Sequence, residues 1–372
     1  MLFAELCFWM FIFLILYIYF GYPISLIILS IILRKSHFFL NKDKNFYPKV
    51  TMFIAAYNEE QIIREKLLNS VALDYPKDKL EIIVVSDDST DRTNEIVKSF
   101  EDKYSFIILN VVKGRKGKTE ALNKSVGKAT GEILVFSDAN SMYKSSAIKE
   151  LVKHYIDPEI GGVCGELRLI NSCNSNIGKS EGVYWKYERL LKKLETLTGS
   201  TVVANGSIYS IRKELFHKMN PHVGDDMQNP LIVIRQGKRF IYDQSAITNE
   251  ETSHSSREEF NRKVRIVTRS FTGILSQFSL LNPFKHFEFF YKYMSHKFLR
   301  YLVPYYLIIL FILNTFLIFF RPIYLILFLL QILFYILAFI GKYSKNFLTY
   351  LPYYFCIVNL AALIGTLRVI SG

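Results

Sequence analysis

The chain has 372 residues, 51% of them hydrophobic and 15% aromatic, with no repeat at a fixed period, which leaves room for one soluble domain beside several apolar segments and excludes a repeat array. A formal charge of +13 invites a nucleic-acid partner, yet many of the basic residues flank the apolar segments, where anionic lipid headgroups attract them, so lipid is the preferred reading. The four cysteines, Cys7, Cys164, Cys173 and Cys356, form no close pair with zinc spacing, and two lie in apolar stretches, so they read as packing residues in a reducing compartment.

From Leu6 to Leu33 no residue is charged, and at about 1.5 Å rise per residue this stretch exceeds the roughly 20 residues that cross a bilayer core. A cleaved signal peptide would carry an apolar region of about 7–15 residues ending at small residues, whereas Leu33 runs into Arg34-Lys35. Between about Pro48 and Ser279, short β-branched runs alternate with polar helical stretches, the pattern of an α/β domain with a largely parallel sheet. Strands are expected at Val50–Ala55, Leu80–Ser86, Phe106–Val112 and Ile133–Ser137. Helices are expected at Glu59–Ala72 and at Asp91–Phe100, the latter capped by Ser89-Thr90. Three further uncharged stretches follow, Tyr301–Phe320, Pro322–Gly341 and Phe347–Leu367, each long enough to span.

The basic residues beside the spans orient the chain. Arg34, Lys35, Lys42, Lys44, Lys49, Lys285, Lys292, Lys297, Arg300, Lys342 and Lys345 fall on one side, against Arg321 and Arg368 on the other. The expected protein is therefore a multi-pass cell-membrane protein with a cytoplasmic middle and both termini outside. Its expected parts are an N-terminal span and flank (1–34), an α/β domain (48–280) that includes an interfacial basic helix near 257–275, and a membrane domain with about three spans (281–372).

A parallel sheet binds ligands beyond the carboxyl ends of its strands. The first strand exits into Ala56-Tyr57-Asn58-Glu59-Glu60, the second into Asp87-Asp88-Ser89-Thr90-Asp91, and the fourth into Asp138-Ala139-Asn140. Any one of these acidic groups alone reads as a helix cap or turn. Three at successive strand ends call for a divalent cation, which neutralises converging carboxylates and grips a diphosphate. Gly117-Lys118-Thr119 is not a phosphate-binding P-loop, because Val112 stands where that motif needs glycine.

These residues resemble the membrane-embedded family 2 glycosyltransferases, which have the Rossmann-like GT-A fold. PKVTMFIAAYNEE is similar to the family's opening strand and nucleotide loop, SDDSTDRT to the second strand end, GRKGKTEALN to the basic loop before a helix, and FSDANS to the metal motif. The family usually has Gly at the position of Asp88, and Asp at that of Asn140. The resemblance implies that Ala56, Tyr57 and Glu59 bind the donor nucleotide, that Asp87 contacts its base, and that Asp138 and Asn140 hold Mg2+ or Mn2+. Lys118 reads either as a point charge that meets the donor phosphates or as a solvated lysine at a helix start. Gly224-Asp225-Asp226 resembles the family's acidic pair, with Asp226 the base and Asp225 its polarising neighbour. Asn205 and Gly206, in Val203-Ala204-Asn205-Gly206-Ser207, resemble the acceptor loop. Arg262, Arg265 and Ile266 align with a Gln-x-x-Arg-Trp motif that lacks its aromatic here, and contact with anionic lipid explains these arginines almost as well as contact with acceptor.

The resemblance implies an inverting, metal-dependent transferase that moves a sugar from a nucleotide sugar, with uridine diphosphate favoured, to a polysaccharide acceptor in cell-surface, capsular or exopolysaccharide synthesis. Membrane lipids are expected contacts, and a polysaccharide assembly system a possible source of partners. A single transfer to a lipid-linked acceptor is the alternative. A non-enzymatic nucleotide-sensing scaffold is the third reading, and it leaves Asp225-Asp226 without a purpose.

Overall fold

The computed structural model describes residues 1–33, 46–170, 176–251, 256–276, 283–284, 287–344 and 346–371. Cys173 and the basic residues Arg34, Lys35, Lys42, Lys44, Lys285 and Lys345 lie outside the described residues. The chain forms two compact units, one of Leu33–Ile170 with Arg189–Glu251, the other of Met1–Ile32 with Asn171–Glu188 and Thr252–Gly372.

The first unit is built on an eight-stranded mixed sheet. In chain order its strands are β1 (Val50–Ala56), β2 (Leu80–Ser86), β3 (Ile107–Val111), β4 (Ile133–Asp138), β5 (Met142–Tyr143), β6 (Ile160–Ile170), β7 (Tyr209–Arg212) and β8 (Arg239–Glu251), and their order across the sheet is β3-β2-β1-β4-β7-β6-β8-β5. Strands β1 to β4 run parallel, while β7 is antiparallel to both β4 and β6. The central strands are covered on both faces, which is why they read as continuous apolar runs. Met52, Ile54, Ile82 and Val84 pack on one face with Leu67, Val97 and Phe100. Phe53, Ile83, Val85, Leu134 and Phe136 pack on the other with Leu122 and Tyr209.

The four expected strands are found with ends shifted by at most one residue. Two helices start later than expected: α3 spans Ile63–Val71 and α4 spans Thr93–Glu101. Residues 59–62 are instead a turn, closed by Ile62 and Ile63 amides on the Glu59 carbonyl. Ser89 and Thr90 do not cap α4. The Asp91 carboxylate does so, accepting the Thr93 amide at 3.0 Å, a shorter-range solution than the sequence pattern suggested.

Among the described residues, the second unit contains four helical segments long and apolar enough to cross a membrane: Leu2–Leu33, Phe287–Leu317, Pro322–Gly341 and Leu348–Ile370. The second of these begins well before the expected Tyr301. Lys292, His296, Lys297 and Arg300 interrupt the uncharged run, but the helix continues through them because their charges are met within the unit. Lys292 pairs with Glu288 at 2.7 Å, and Lys297 and Arg300 pair with the buried Glu188. At the other end Arg321 pairs with Glu5 at 3.2 Å, and Phe8 packs edge-on against Tyr324, so the start of the first segment and the turn between the second and third lie together.

The basic helix α9 (Ser256–Ser276) belongs to this unit. Its buried Val264, Val267, Phe271 and Ile274 recur at helical spacing. Val267 packs where Gly365 of the last segment has no side chain, and the Thr268 hydroxyl donates to the Gly365 carbonyl at 3.3 Å.

Candidate active site

The parallel registers of β1, β2 and β4 set Ala56 beside Ser86 and Ala55 beside Asp138, so the three loops that follow open on one rim. Two of them are stitched together by backbone amides. Asn58 accepts the Thr90 amide at 2.9 Å and donates its own to the Ser89 hydroxyl, Glu59 donates to the Thr93 hydroxyl at 2.8 Å, and Glu60 donates to Asp91 at 3.0 Å. Asn58 and Asp88 both take left-handed backbone, with φ of 54° and 60°, a conformation that Asn and Asp tolerate better than most residues.

Asp87 is nearly buried, and its two oxygens accept the amides of Lys116 (2.7 Å) and Gly117 (2.8 Å). Asp88 accepts the amide of Gly114 at 2.9 Å. The residue that replaces the family's usual glycine thus holds the basic loop from a second point. Gly114 and Gly117 supply the positive φ that brings these amides inward, and the same turn lays the Arg115 guanidinium over the Tyr57 ring, 4.5 Å from its centroid.

Helix α5 (Lys118–Ser125) starts at the end of that loop. Lys118 Nζ lies 2.7 Å from Asp138 Oδ1, 3.4 Å from Asp225 Oδ2 and 3.4 Å from the Gly206 carbonyl. Burial alone would lower its pKa, but Asp138 and Asp225 outweigh that and hold the ammonium charged. Glu59 responds in the opposite sense. Burial, and then repulsion from Asp138 and Asp91, raises its carboxyl above the usual range.

Asp225 and Asp226 occupy the first turn of α8 (Asp225–Arg235), where the helix dipole favours negative charge. Asp225 is buried and accepts the Tyr209 hydroxyl at 2.8 Å, which in turn accepts Asn229 at 2.9 Å. The Asp226 carboxylate faces Gly206: a Cβ at that glycine would stand 3.7 Å from both Asp226 Oδ2 and Lys118 Nζ. A Cβ at Gly224 would come within 2.6 Å of Asp226 Oδ1, so any larger residue there would make the Asp226 carboxylate shift. Asn205 is held from both sides, its amide donating to the Gly165 carbonyl and its oxygen accepting from Lys192.

Residues 51–219 match the family model described as Glycosyl transferase family 2. They form a family 2 glycosyl transferase domain. A probable glycosyltransferase YdaM of Bacillus subtilis is 30% identical over 238 residues, which cover 59% of this chain and 54% of that protein. The poly-beta-1,6-N-acetyl-D-glucosamine synthase of Staphylococcus aureus is 30% identical over 166 residues, 44% of this chain and 39% of that protein. The chain thus spans about half, or less, of the length of these curated relatives. Among solved structures, the mannosyltransferase PcManGT from Pyrobaculum calidifontis, in complex with GDP-Man and Mn2+, superposes with a TM-score of 0.72 at 21% identity, over 98% of this chain and 99% of that one. This likeness is one of fold, and it extends through the four apolar helical segments.

The family 2 domain also uses residues that the motifs did not reveal. Lys66 on α3 is fully buried, donates to the Ser137 hydroxyl at 2.8 Å and to the Ser141 carbonyl, and lies over the Tyr143 ring at 4.2 Å. It therefore braces both ends of the turn that carries Asp138 and Asn140. Desolvation lowers its pKa to about 7 against the opposing pull of Asp138 and Glu250. The signal was available: Lys66 stands on the same helical stripe as the buried Ile63, Leu67 and Ser70, where a lysine is out of place. Lys192, likewise buried, braces the loop at Ala204 and Asn205.

No group of three or more His, Cys, Asp or Glu side chains able to hold a metal gathers among the described residues. Asp138, with Asn140 two residues on, supplies one carboxylate and one amide. That set fits an octahedral cation that keeps several waters and takes its remaining oxygens from substrate phosphates. Arg262 and Arg265 belong to the other unit, where Arg262 is held in a forked pair by Glu259 at 2.7 and 2.8 Å and Arg265 is exposed.

Proposed function

We propose that this chain is a glycosyltransferase that moves a sugar from a nucleotide sugar to an acceptor hydroxyl by a single displacement with inversion, and that the acceptor is a growing polysaccharide. The observation that carries this reading is the meeting of Asp138, Lys118, Asp225, Asp226 and Gly206 at the carboxyl ends of the strands. A donor diphosphate leaves more readily against positive charge, and Lys118 provides it. A bound Mg2+ or Mn2+ at Asp138 and Asn140 supplies further stabilisation of the leaving diphosphate.

Asp226, at the open side of Gly206, is the base that takes the acceptor proton. Asp225 is held between the Tyr209 hydroxyl and the Lys118 ammonium and fixes the first turn of α8 from which Asp226 projects. Tyr57 and Glu59 line the donor side. Asp87 acts on the nucleotide through the loop it anchors, and Arg115 over Tyr57 gives a nucleobase a charged, flat neighbour. A uridine nucleotide is favoured by the sequence resemblance, and the relative that makes poly-N-acetylglucosamine supports a polymeric product.

We read the unit with the sheet as cytoplasmic, with both termini outside. Support comes from the excess of Lys and Arg on one side of the spans, and from the Glu5–Arg321 pair, which joins two parts of the chain that this topology puts on the same outer face. The test is a screen of radiolabelled nucleotide sugars on membranes carrying the full chain, with product sizing. Label passing to a polymer in a manner that needs Asp226 supports the proposal. Transfer that survives Asp226→Asn refutes the base, and a product of one sugar on lipid refutes the polymeric acceptor.

A further inference from the structure

The carboxylate assigned to the cation is not waiting for one. Asp138 Oδ1 lies 2.7 Å from Lys118 Nζ, an ammonium that is largely enclosed and also reaches Asp225 at 3.4 Å and the Gly206 carbonyl at 3.4 Å. We propose that Lys118 is the resting counter-ion of the cation site: a divalent cation and the Lys118 ammonium compete for Asp138, and the donor's diphosphate makes the exchange favourable.

The physical case rests on charge and on ligand number. A cation close to Asp138 meets a fixed positive charge at hydrogen-bond distance from the same oxygen, and the two repel. The protein offers little in return, since Asn140 is neutral and no group of three His, Cys, Asp or Glu side chains able to hold a metal gathers among the described residues. An incoming diphosphate changes both terms. It supplies oxygen ligands to the cation and gives the displaced ammonium a new anionic partner. Asp225 keeps Lys118 at the site during the exchange, because it grips the same nitrogen from the first turn of α8. Cation and nucleotide therefore bind with strong mutual dependence, and the change at Lys118 is felt on the helix that carries Asp226. Empty-handed cation binding is suppressed, which guards the site against a metal-filled, donor-free state.

This inference rests on the reading of Asp138 as the cation-facing carboxylate, and the experiment separates the two. Mn2+ binding to the purified full chain in detergent is followed by the electron paramagnetic resonance of free Mn2+, first alone and then with UDP or GDP. Lys118→Met and Lys118→Gln, two uncharged variants of differing polarity, should each bind Mn2+ alone about tenfold more tightly than the unaltered chain, by the loss of one competing charge-assisted bond. Lys118→Arg should stay close to the unaltered chain. The gain in Mn2+ affinity on adding nucleotide should shrink in the uncharged variants. If Asp138→Asn abolishes Mn2+ binding while both uncharged variants bind no better than the unaltered chain, Lys118 does not compete and the inference is overturned. If Asp138→Asn binds Mn2+ unchanged, the cation reading of Asp138 fails and the inference fails with it.

Discussion

Lys66→Met separates what the buried lysine does for the fold from what it does for the site. In the folded chain its pKa falls from an ordinary 10.5 to about 7, with desolvation as the largest cause. Between those values the unfolded chain binds the proton and the folded chain does not, so stability rises with pH across that window. At about 1.4 kcal/mol per pH unit, the cost of burying the ammonium is about 5 kcal/mol below pH 7 and is relieved as pH climbs towards 10.5. Methionine removes that cost but leaves the Ser137 hydroxyl and Ser141 carbonyl without their donor, at about 1–3 kcal/mol each. The two effects nearly cancel near neutrality. The variant should therefore fold with a melting temperature close to that of the unaltered chain at pH 7, and fall behind it progressively as the pH is raised to 10. Transfer should meanwhile drop by about 10- to 100-fold, because the Asp138 turn has lost its brace. Thermal unfolding of both proteins in detergent at a series of pH values, paired with initial rates, measures this. Parallel stability curves would refute the argument that Lys66 is buried at a cost in charge, and an unimpaired rate would refute its role in holding the turn.

Gly224→Ala should push the Asp226 carboxylate aside, since the added Cβ would stand 2.6 Å from Oδ1, and transfer should fall by about 100-fold while nucleotide binding measured by calorimetry and the melting temperature hardly change. Asp226→Asn should abolish transfer with donor affinity nearly intact, as measured by the same titration; loss of nucleotide binding would move Asp226 from the acceptor side to the donor side. Glu188→Gln leaves Lys297 and Arg300 without their buried partner and should cost about 3–5 kcal/mol, read as early unfolding in detergent. Burial would raise the Glu188 carboxyl, but Lys297, Arg300 and His296 hold it well below 4.5, so its contribution is complete above that pH and is lost only in more acid solution; the deficit of the variant should stay flat from about pH 5 to 8.

Much of the domain was legible because the same residues served two purposes. Val50–Ala56 and Leu80–Ser86 are apolar apart from Thr51, Glu81 and Ser86 since both faces of the sheet are covered, and their polar exits mark where the chain leaves the core. The early start of the second apolar segment was not legible. Lys297 and Arg300 look like an end to a span until Glu188, more than a hundred positions earlier, is found beside them. The caps failed for a related reason. Ser89 and Thr90 have the right chemistry at the right distance from α4, but both are engaged with Asn58 of the neighbouring loop, and Asp91 takes the helix instead. Pairings between distant segments carry no local signature, and they decide which of several competent groups takes each role.

The acidic rim shows the same principle acting on charge. In sequence order, the acidic groups at three strand ends, Asp87, Asp88 and Asp138 among them, call for a divalent cation, while Asp225 and Asp226 read as a base and its neighbour. In the fold they are divided by their partners: backbone amides of the 114–117 loop claim Asp87 and Asp88, while Lys118 claims Asp138 and Asp225. The first pair fixes the loop that ends in Lys118, so Asp87 and Asp88 also set the position of the ammonium that pairs with Asp138 and Asp225. A neutral residue at Asp88 would free Gly114 while Asp87 still held Lys116 and Gly117, and the loop would keep its anchor beside Lys118 but lose the one beside Arg115. The aspartate that departs from the family pattern is therefore expected to govern how tightly the nucleobase is covered, with little influence on transfer once the donor is bound.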